Sequence, residues 1–370
     1  MNRIEIIPVS TAVSILKTSR KTILITENLS GHRIQWLNLL ALRLKNRVND
    51  LMVFSLRDVI DKSRYGNIKY PIKICDDFDS KNELIRFLKN YSKFHNVIVW
   101  DGDNWLIALV RFHLNCRILI MRPYIENSNL ITFLRSSIKL LICNILINSR
   151  TIEVAYLRVP MERKVFSRMY AVDDELDISS EIQNSRFAKI KRGNNGGRLI
   201  ILPGFITSRK NPIFAIHSIE KAMKSTLQLI EFKFLGTLDR SQKLQREINK
   251  RNWIKLENSY INRLYFLEQI ANADLVILPY SNRASSAIAL ESMSVGTRVL
   301  MAQSRLWRKL QKENPNLLYM APIKIEKFSE RIAEILSKEE NHTKAGEFFS
   351  YQTRQRAIDY LIHGRELLNG

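Results

Sequence analysis

Residues 273–297 combine a loop of small polar residues with a single carboxylate. The apolar run Leu275–Pro279 predicts a buried parallel strand, and residues 287–295 predict a helix that carries Glu291 in its second turn. The N–H groups and the dipole of a helix N-terminus favour an anion, and a carboxylate one turn further in can accept hydrogen bonds from sugar hydroxyls. The pattern therefore indicates a nucleotide-sugar site. The alternative is a helix that merely packs on a sheet, with Glu291 solvated at its edge.

A second candidate site follows the apolar run Leu199–Leu202. Gly204 predicts a turn, and Arg209 and Lys210 open a predicted helix that runs to about residue 224. Cations at a helix N-terminus are mildly unfavourable unless an anion lies there. The pair therefore predicts a turn that binds an anion, against the alternative of two solvated basic residues.

Together, the two segments resemble the donor-binding signature of the retaining, family 4 type of glycosyltransferases, which have the two-domain GT-B fold. In that family a strand ending in proline precedes a loop and a Glu-x7-Glu pattern. Glu291 matches the second glutamate, whereas Arg283 stands at the first position. Gly204 and Lys210 match the Gly-x5-Lys spacing of the family, but Phe205 replaces the arginine that usually follows the glycine.

This resemblance covers residues 198–300 well and the first half of the chain in outline. It implies that Lys210 and Arg209 neutralise the donor diphosphate as it leaves, and that Glu291 holds the nucleotide ribose. The further donor-site residues that we predict are Gly31, Gly204, Arg283, Ser285, Ser286, Ala287 and Ile288.

Arg283 departs from the family pattern, because an arginine accepts no hydrogen bond from the hydroxyls of a donor sugar. Three alternatives follow. Arg283 contacts the diphosphate beside Arg209 and Lys210, or it pairs with the carboxylate of an acidic donor sugar, or it points to solvent. The sequence therefore leaves the donor sugar undefined.

Two loops of the first half provide candidates for the acceptor side. One contains Gly31, which the resemblance places under the donor diphosphate, followed by His32 and Arg33. The other contains Asp101 and Asp103 directly after an apolar run. We interpret these aspartates as lining a cleft at the carboxyl ends of parallel strands. Asp101 would there contact the sugar or orient the acceptor.

The segment Asp101–Asp103 has two further interpretations. An Asp-x-Asp at the end of a strand holds Mg²⁺ or Mn²⁺ in the other large glycosyltransferase fold, GT-A. Asp103 could instead cap the helix predicted near Trp105. GT-A enzymes lack a second nucleotide-binding domain with the two motifs above, so we predict no metal site. No cofactor is predicted either, because the nucleotide sugar is a substrate.

The composition of the chain limits the kinds of partner that we expect. The net charge is +22 and is weighted to the first half of the chain. The basic residues are dispersed without a nucleic-acid motif, so we expect no nucleic-acid partner. An anionic membrane surface is the predicted partner, and an evenly basic surface is the alternative. No obligate protein partner is predicted.

The three cysteines form no CxxC pair, which argues against a disulfide framework or a zinc site and favours the reducing cytoplasm. We expect neither a signal peptide nor a membrane-spanning segment.

Strand and helix patterns alternate along the chain, which predicts parallel α/β domains. We expect an acceptor-binding Rossmann-like domain (residues 1–180), a linker (181–197), a Rossmann-like domain that binds the nucleotide sugar (198–345) and a last helix (346–370) crossing back to the first domain. The two domains, of GT-B type, should face each other across a cleft. The expected strands are residues 22–26, 51–56, 96–100, 117–121, 152–157, 198–202, 230–235, 253–256, 275–279 and 298–301.

These patterns together predict a metal-independent glycosyltransferase of the cytoplasm or the inner membrane face. It would move a sugar from a nucleotide sugar to a glycan or to a glycan linked to polyprenyl pyrophosphate. Retention of anomeric configuration is implied by the resemblance, and bacterial surface polysaccharide biosynthesis is an analogy. The alternatives are a nucleotide-sugar epimerase of similar fold and a non-catalytic nucleotide-sugar-binding protein, which Arg283 favours.

Overall fold

The computed structural model describes residues 4–27, 32–44, 50–57, 68, 70–121, 130–148, 152–158, 169–173, 197–239, 241–259, 261–280, 286–338 and 360–363. These residues form two parallel β-sheets, one in each half of the chain, with helices connecting their strands. The expected α/β class with two Rossmann-like sheets is therefore confirmed.

The first sheet contains eight strands within the described residues, in the spatial order β1-β4-β3-β2-β5-β6-β7-β8. All neighbouring pairs are parallel. The strands are β1 Ile4–Ile6, β2 Thr22–Ile25, β3 Leu51–Leu56, β4 Ile72–Phe78, β5 Asn96–Val99, β6 Cys116–Ile120, β7 Ile152–Arg158 and β8 Tyr170–Asp173.

The second sheet has six parallel strands in its described part, in the order β11-β10-β9-β12-β13-β14. The strands are β9 Arg198–Pro203, β10 Ile230–Leu235, β11 Ile254–Glu257, β12 Leu275–Leu278, β13 Val299–Ala302 and β14 Leu318–Ala321.

Helices connect these strands, as parallel pairing requires. In the first half they are α1 Val9–Thr18, α2 His32–Leu44, α3 Lys81–Lys89, α4 Leu106–Phe112 and α5 Leu130–Asn148. In the second half they are α6 Pro212–Thr226, α7 Gln242–Asn249, α8 Arg263–Ala271, α9 Ala287–Ser294, α10 Arg308–Glu313 and α11 Ile325–Ser337.

Both faces of each sheet are covered, which explains why the central strands are continuous apolar runs. In β2, Ile23 and Ile25 point into one core cluster and Leu24 into the cluster on the other face. In β9, Ile201 and Ile200 divide in the same way between the two faces of the second sheet. All three cysteines are buried free thiols.

The strand order of the second sheet reverses between β9 and β12, and that of the first sheet reverses between β2 and β5. In open parallel sheets, ligands bind outside the carboxyl ends of the strands at such a reversal. Both pairs of candidate loops follow these strands. The topology thus brings each pair to the position where a ligand is expected.

The structure adds elements that the sequence patterns did not predict. Strands β1 and β8 are short edge strands, and β4 is interrupted in its apolar pattern by Asp76 and Asp77. Strand β14 is a run of only four residues. Helix α1 was also not predicted.

Residues 360–363 are helical and lie against the first sheet. Tyr360 and Leu361 are buried in one of its core clusters. The guanidinium of Arg117 donates hydrogen bonds to the carbonyl oxygens of Leu361 (3.3 Å) and Ile362 (2.7 Å). The described part of the last helix is therefore joined to the first half of the chain.

Candidate functional site

Adjacent strands bring the two motifs of the second half together. Strands β9 and β12 pair directly, through Leu275 with Ile200 and Val276 with Ile201. Their carboxyl ends lead to Gly204 on one side and to the start of helix α9 on the other. The two predicted anion-binding segments therefore lie side by side.

Gly204 separates Lys210 from helix α9. A methyl group placed at Gly204 would lie 2.8 Å from Nζ of Lys210 and 2.9 Å from Cδ1 of Ile288, and the φ angle of Gly204 is +82°. Both the left-handed conformation and the close approach require glycine here. Nζ of Lys210 also donates a hydrogen bond to the carbonyl oxygen of Pro203. The lysine thus folds back over the turn that precedes it.

A short 3-10 turn, Ser208–Lys210, holds Lys210 in this position. The backbone N–H of Lys210 donates a hydrogen bond to the carbonyl oxygen of Thr207 at 3.0 Å. Asn211 then adopts a left-handed conformation (φ 53°), so the α-helix begins only at Pro212. The expectation that Arg209 and Lys210 open the helix was therefore wrong: they belong to a tighter turn before it. Proline suits the first helical position because it has no N–H to leave unpaired.

Burial changes the acid–base behaviour of Lys210. Its side chain is almost fully inaccessible. Burial in a medium of low polarity, with a smaller contribution from the neighbouring Arg209, lowers the pKa of Lys210 to about 7. A buried amine with such a pKa gains its proton readily when an anion arrives, because the anion stabilises the charged form.

The aromatic ring of Tyr280 lies against both Arg209 and Lys210. Tyr280 is buried two residues after β12. The guanidinium carbon of Arg209 lies 5.2 Å and Nζ of Lys210 lies 5.8 Å from the centroid of its ring. Contacts of a cation with a ring at this range are attractive. Tyr280 was not among the predicted site residues, because nothing in its sequence context distinguishes it from a core residue.

Helix α9 is anchored by its N-cap. Oγ of Ser286 accepts a hydrogen bond from the N–H of Ala289 at 3.4 Å, the arrangement preferred at helix starts. Ser286 is buried, Ala287 and Ile288 are half-buried, and Glu291 is 7% exposed. Glu291 is therefore not solvated at the sheet edge, as the simpler alternative required.

A second glycine lets the neighbouring loop approach the turn. Gly236 follows β10 with a φ of +125°, and a methyl group there would lie 2.8 Å from the carbonyl oxygen of Gly204. The N–H of Gly204 donates to the carbonyl of Leu235 at 2.8 Å. The sequence signal for this position is a glycine directly after a strand in which apolar residues alternate with charged ones.

Several predicted residues lie outside the described part of the chain. They are Gly31, Arg283 and Ser285. His32 and Arg33 begin helix α2, but the structure does not describe their side chains. Their roles stay predictions.

The first sheet has its own polar edge, at the carboxyl ends of β2 and β5. The indole N–H of Trp100 donates to Oγ1 of Thr26 at 3.2 Å, which links the two strands. Asp101 follows in a left-handed conformation with φ 56°, and it is half-buried. Gly102 packs so tightly that a methyl group would lie 2.1 Å from Cγ2 of Ile118.

Asp103 is held by the protein itself. One carboxylate oxygen accepts the N–H of Met121 at 2.7 Å, and the other pairs with Nζ of Lys139. Both side chains of this pair are largely buried, at 13% and 19% exposure. No side-chain cap is made at the start of helix α4. The interpretation of Asp103 as an N-cap is therefore wrong: it links the end of β6 to helix α5.

A polar cluster beside Asp101 was not predicted. Glu27 accepts a hydrogen bond from the side-chain amide of Asn104 at 2.6 Å and forms an ion pair with Lys81 at 3.0 Å. Nζ of Lys81 also donates to the carbonyl of Asn104. These residues come from three separate segments, so only the fold brings them together.

Within the described residues, no group of three or more His, Cys, Asp and Glu side chains is arranged to hold a metal ion. Likewise, no described helix is both long and apolar enough to cross a bilayer.

No protein-family model matches the chain, and no curated protein sequence matches it. Solved structures do match over nearly its whole length. Anabaena HepE in complex with UDP and glucose has 10% identity and a TM-score of 0.62, with 95% of this chain and 98% of that chain covered. The α,α-trehalose-phosphate synthase (UDP-forming) of Burkholderia vietnamiensis has 9% identity and a TM-score of 0.56, over 93% and 96%.

A protein from Listeria monocytogenes described as a UDP-N-acetylglucosamine 2-epimerase has 12% identity and a TM-score of 0.56, over 93% of this chain and 97% of that chain. At such low identities the likeness establishes architecture. The chain therefore has the GT-B fold.

Proposed function

We propose that this protein is a glycosyltransferase that uses a nucleoside diphosphate sugar as donor. The observation that carries the proposal is the position of Lys210, a buried amine packed against Gly204, which also lies against Ile288 in the first turn of helix α9. This is the point where the strand order of the second sheet reverses, on a fold shared with the sugar-nucleotide proteins described above.

Lys210 and Arg209 would act on the diphosphate. The leaving group of glycosyl transfer is a nucleoside diphosphate, whose negative charge increases as the bond to the sugar breaks. A preorganised cation in a site of low polarity stabilises that charge strongly. With a pKa of about 7, Lys210 would take up a proton when the diphosphate binds. The buried amine would thus be charged where the charge is needed.

The start of helix α9 would bind the rest of the nucleotide. Ser286, Ala287 and Ile288 present the first turn of that helix, whose N–H groups favour an anion. Glu291 would accept hydrogen bonds from ribose hydroxyls. For Arg283 we propose a contact with the diphosphate beside Arg209.

The acceptor would bind at the carboxyl edge of the first sheet. Asp101 lies at the reversal between β2 and β5, and it would contact the sugar or orient the acceptor. We assign no nucleophile on the enzyme, so catalysis would rest on positioning and on stabilisation of the leaving group. His32, Arg33 and Asp103 remain candidates on this side, whereas Gly31 remains a candidate for the donor site, under the diphosphate.

The reaction would need no divalent metal, since Asp103 is already paired with Lys139. Retention of anomeric configuration follows from the resemblance of the Gly204–Lys210 and Glu291 motifs. A glycan or a polyprenyl-pyrophosphate-linked glycan is the proposed acceptor, in bacterial surface polysaccharide biosynthesis. The enzyme would work in the cytoplasm, at the inner face of the membrane.

The test is incubation of the purified protein with a panel of nucleotide sugars, with and without membrane extract as a source of acceptor. Slow release of the nucleoside diphosphate, accelerated by acceptor, is the expected result. Conversion to the 2-epimer would identify an epimerase instead. Thermal stabilisation by nucleotide sugars without turnover would identify a binding protein.

A further inference from the structure

Helix α5 carries a row of apolar side chains on its solvent side. Leu134, Ile138, Leu141 and Ile145 are 50%, 56%, 60% and 48% exposed. Their spacing of four, three and four residues places them on one face of the helix. The opposite face is already used, because Cys143 and Leu146 are buried in the core. We call these four residues the α5 stripe.

The α5 stripe is a concentration of apolar surface. It supplies four of the twelve large hydrophobic side chains that are exposed among the described residues. Single exposed apolar side chains are ordinary, whereas a contiguous group marks a surface that another body covers.

Most of the exposed charged residues beside the stripe, on α5 and on the neighbouring helices α4 and α3, are cations. Helix α5 carries two charged residues: Arg135 is exposed, whereas Lys139 is largely buried and paired with Asp103. Helix α4, which packs against α5, exposes Ile107 and Arg111. Helix α3 packs against α4 and adds exposed cations, Arg86 and Lys89, and one exposed carboxylate, Glu83. The stripe is thus bordered mainly by exposed cations on the side where α4 and α3 pack.

We infer that the α5 stripe docks the protein onto an anionic lipid bilayer. The apolar side chains would enter the boundary between headgroups and acyl chains, and the bordering cations would bind the anionic headgroups. The inference deepens the membrane association proposed above by naming the surface responsible, and it does not depend on the transfer reaction.

A second copy of the chain fits this surface less well. The 4-3-4 spacing could form a seam between two helices, but both copies would bring the exposed Arg135 and the same basic neighbouring helices. Seams between helices are stabilised by opposite charges at their flanks. Each copy carries a net charge of +22, so two copies repel each other, whereas a bilayer rich in anionic lipid attracts the protein.

Docking through α5 would bring the acceptor side close to the lipid. Lys139, in the middle of the helix, reaches Asp103 at the carboxyl edge of the first sheet. Asp101 lies two residues earlier. An acceptor carried on a membrane lipid would therefore be presented near the polar edge where we place its binding site.

The test is flotation of the full-length protein with vesicles. Phosphatidylcholine vesicles are compared with vesicles of phosphatidylcholine mixed with phosphatidylglycerol. The native protein should float with the anionic vesicles, and less so at high salt, because salt screens the attraction. The double variant Ile138→Ser/Leu141→Ser should lower partitioning about 10-fold, as expected for two half-exposed apolar side chains.

The matched control is Leu229→Ser/Leu264→Ser, which removes two comparably exposed side chains (72% and 50%) from the second half of the chain. It should partition like the native protein. Thermal unfolding and binding of a nucleoside diphosphate verify that both variants are folded.

Equal partitioning of the native protein and the α5 variant overturns the inference, even if glycosyl transfer is established. Equal binding to neutral vesicles overturns its electrostatic part. A native dimer without vesicles that becomes a monomer in the α5 variant would show that a second copy covers the stripe. If the native protein binds anionic vesicles but shows no transfer activity in the donor screen, only the proposed function is refuted.

Discussion

Nζ of Lys210 lies directly over Gly204, so close that a methyl group at position 204 would be 2.8 Å from it. The relationship joins a backbone requirement to a chemical one. Glycine is needed for the left-handed turn, and the absence of a side chain leaves the space that the amine occupies. The Gly-x5-Lys spacing in the sequence therefore corresponds to a contact between Gly204 and Lys210 in the folded protein.

We expect Gly204→Ala to weaken nucleotide binding and to destabilise the protein. The added methyl group meets both Lys210 and Ile288, and alanine in a left-handed conformation costs about 1–2 kcal/mol. The control is Gly296→Ala, because Gly296 has a similar φ of +79° but follows the C-terminal end of helix α9. Both variants should lose thermal stability, and only Gly204→Ala should lose affinity for a nucleoside diphosphate in titration calorimetry. Equal loss in both would remove the special role of the contact.

Lys210→Met should reduce turnover with a verified donor about 10²- to 10³-fold, the effect of losing one group that stabilises a leaving group. Lys224→Met is the matched control, since Lys224 is an exposed lysine in the last turn of the following helix α6. Release of nucleoside diphosphate in a coupled assay measures the effect. Normal turnover in Lys210→Met would contradict the diphosphate assignment.

The lowered pKa of Lys210 gives a signature in stability against pH. The unfolded chain holds a proton on this lysine up to its ordinary pKa of 10.5, whereas the folded protein releases it at about 7. Between these values the unfolded state binds more protons, so the contribution of Lys210 to stability rises with pH. Below pH 7 both states are protonated and the slope disappears.

This dependence appears as a difference between two proteins. Relative to Lys210→Met, the native free energy of unfolding should increase between pH 7 and 10 by up to about 1.4 kcal/mol per pH unit. Urea unfolding at several pH values measures it, and the other titrating groups cancel in the difference. A difference that stays constant with pH would mean that Lys210 titrates normally in the folded protein.

Glu291→Gln should weaken nucleoside diphosphate binding about 10-fold, because a charge-assisted hydrogen bond to ribose becomes a neutral one. A deoxyribose nucleotide should reveal the cause: native protein should lose affinity for it, and the variant should discriminate less. Glu313→Gln, at an exposed glutamate, is the control. Unchanged discrimination in Glu291→Gln would leave the glutamate a structural role only.

The sequence predicts the local geometry of the second-half segments better than that of the first-half segments, for a physical reason. The motifs of the second half are local: an apolar strand, a turn that needs glycine, and a capped helix lie within short segments such as 199–210 and 275–295. By contrast, the partners of Asp103 come from distant segments, and Lys139 lies thirty-six positions away. No local pattern records such a pair.

Local sequence patterns also do not predict how far each side chain is buried. Arg209 and Lys210 are adjacent cations, but only packing makes one half-buried and the other inaccessible. Helix α5 is apolar on most sides, so its sequence predicts the helix without predicting which face stays exposed. That face is defined only by what the sheet covers.

The last prediction separates Asp101 from Asp103, which the sequence offered together as a metal-binding pair. We expect EDTA to leave transfer activity intact. Asp101→Asn should lower turnover without loss of stability, because asparagine tolerates the left-handed conformation of this position. Asp103→Asn should instead destabilise the protein by about 1–3 kcal/mol, since it removes the charge opposite the largely buried Lys139. Restoring that balance with Asp103→Asn/Lys139→Met should recover part of the stability. Loss of activity in EDTA, recovery with Mn²⁺ and similar kinetic defects in both single variants would establish the metal site that we argue against.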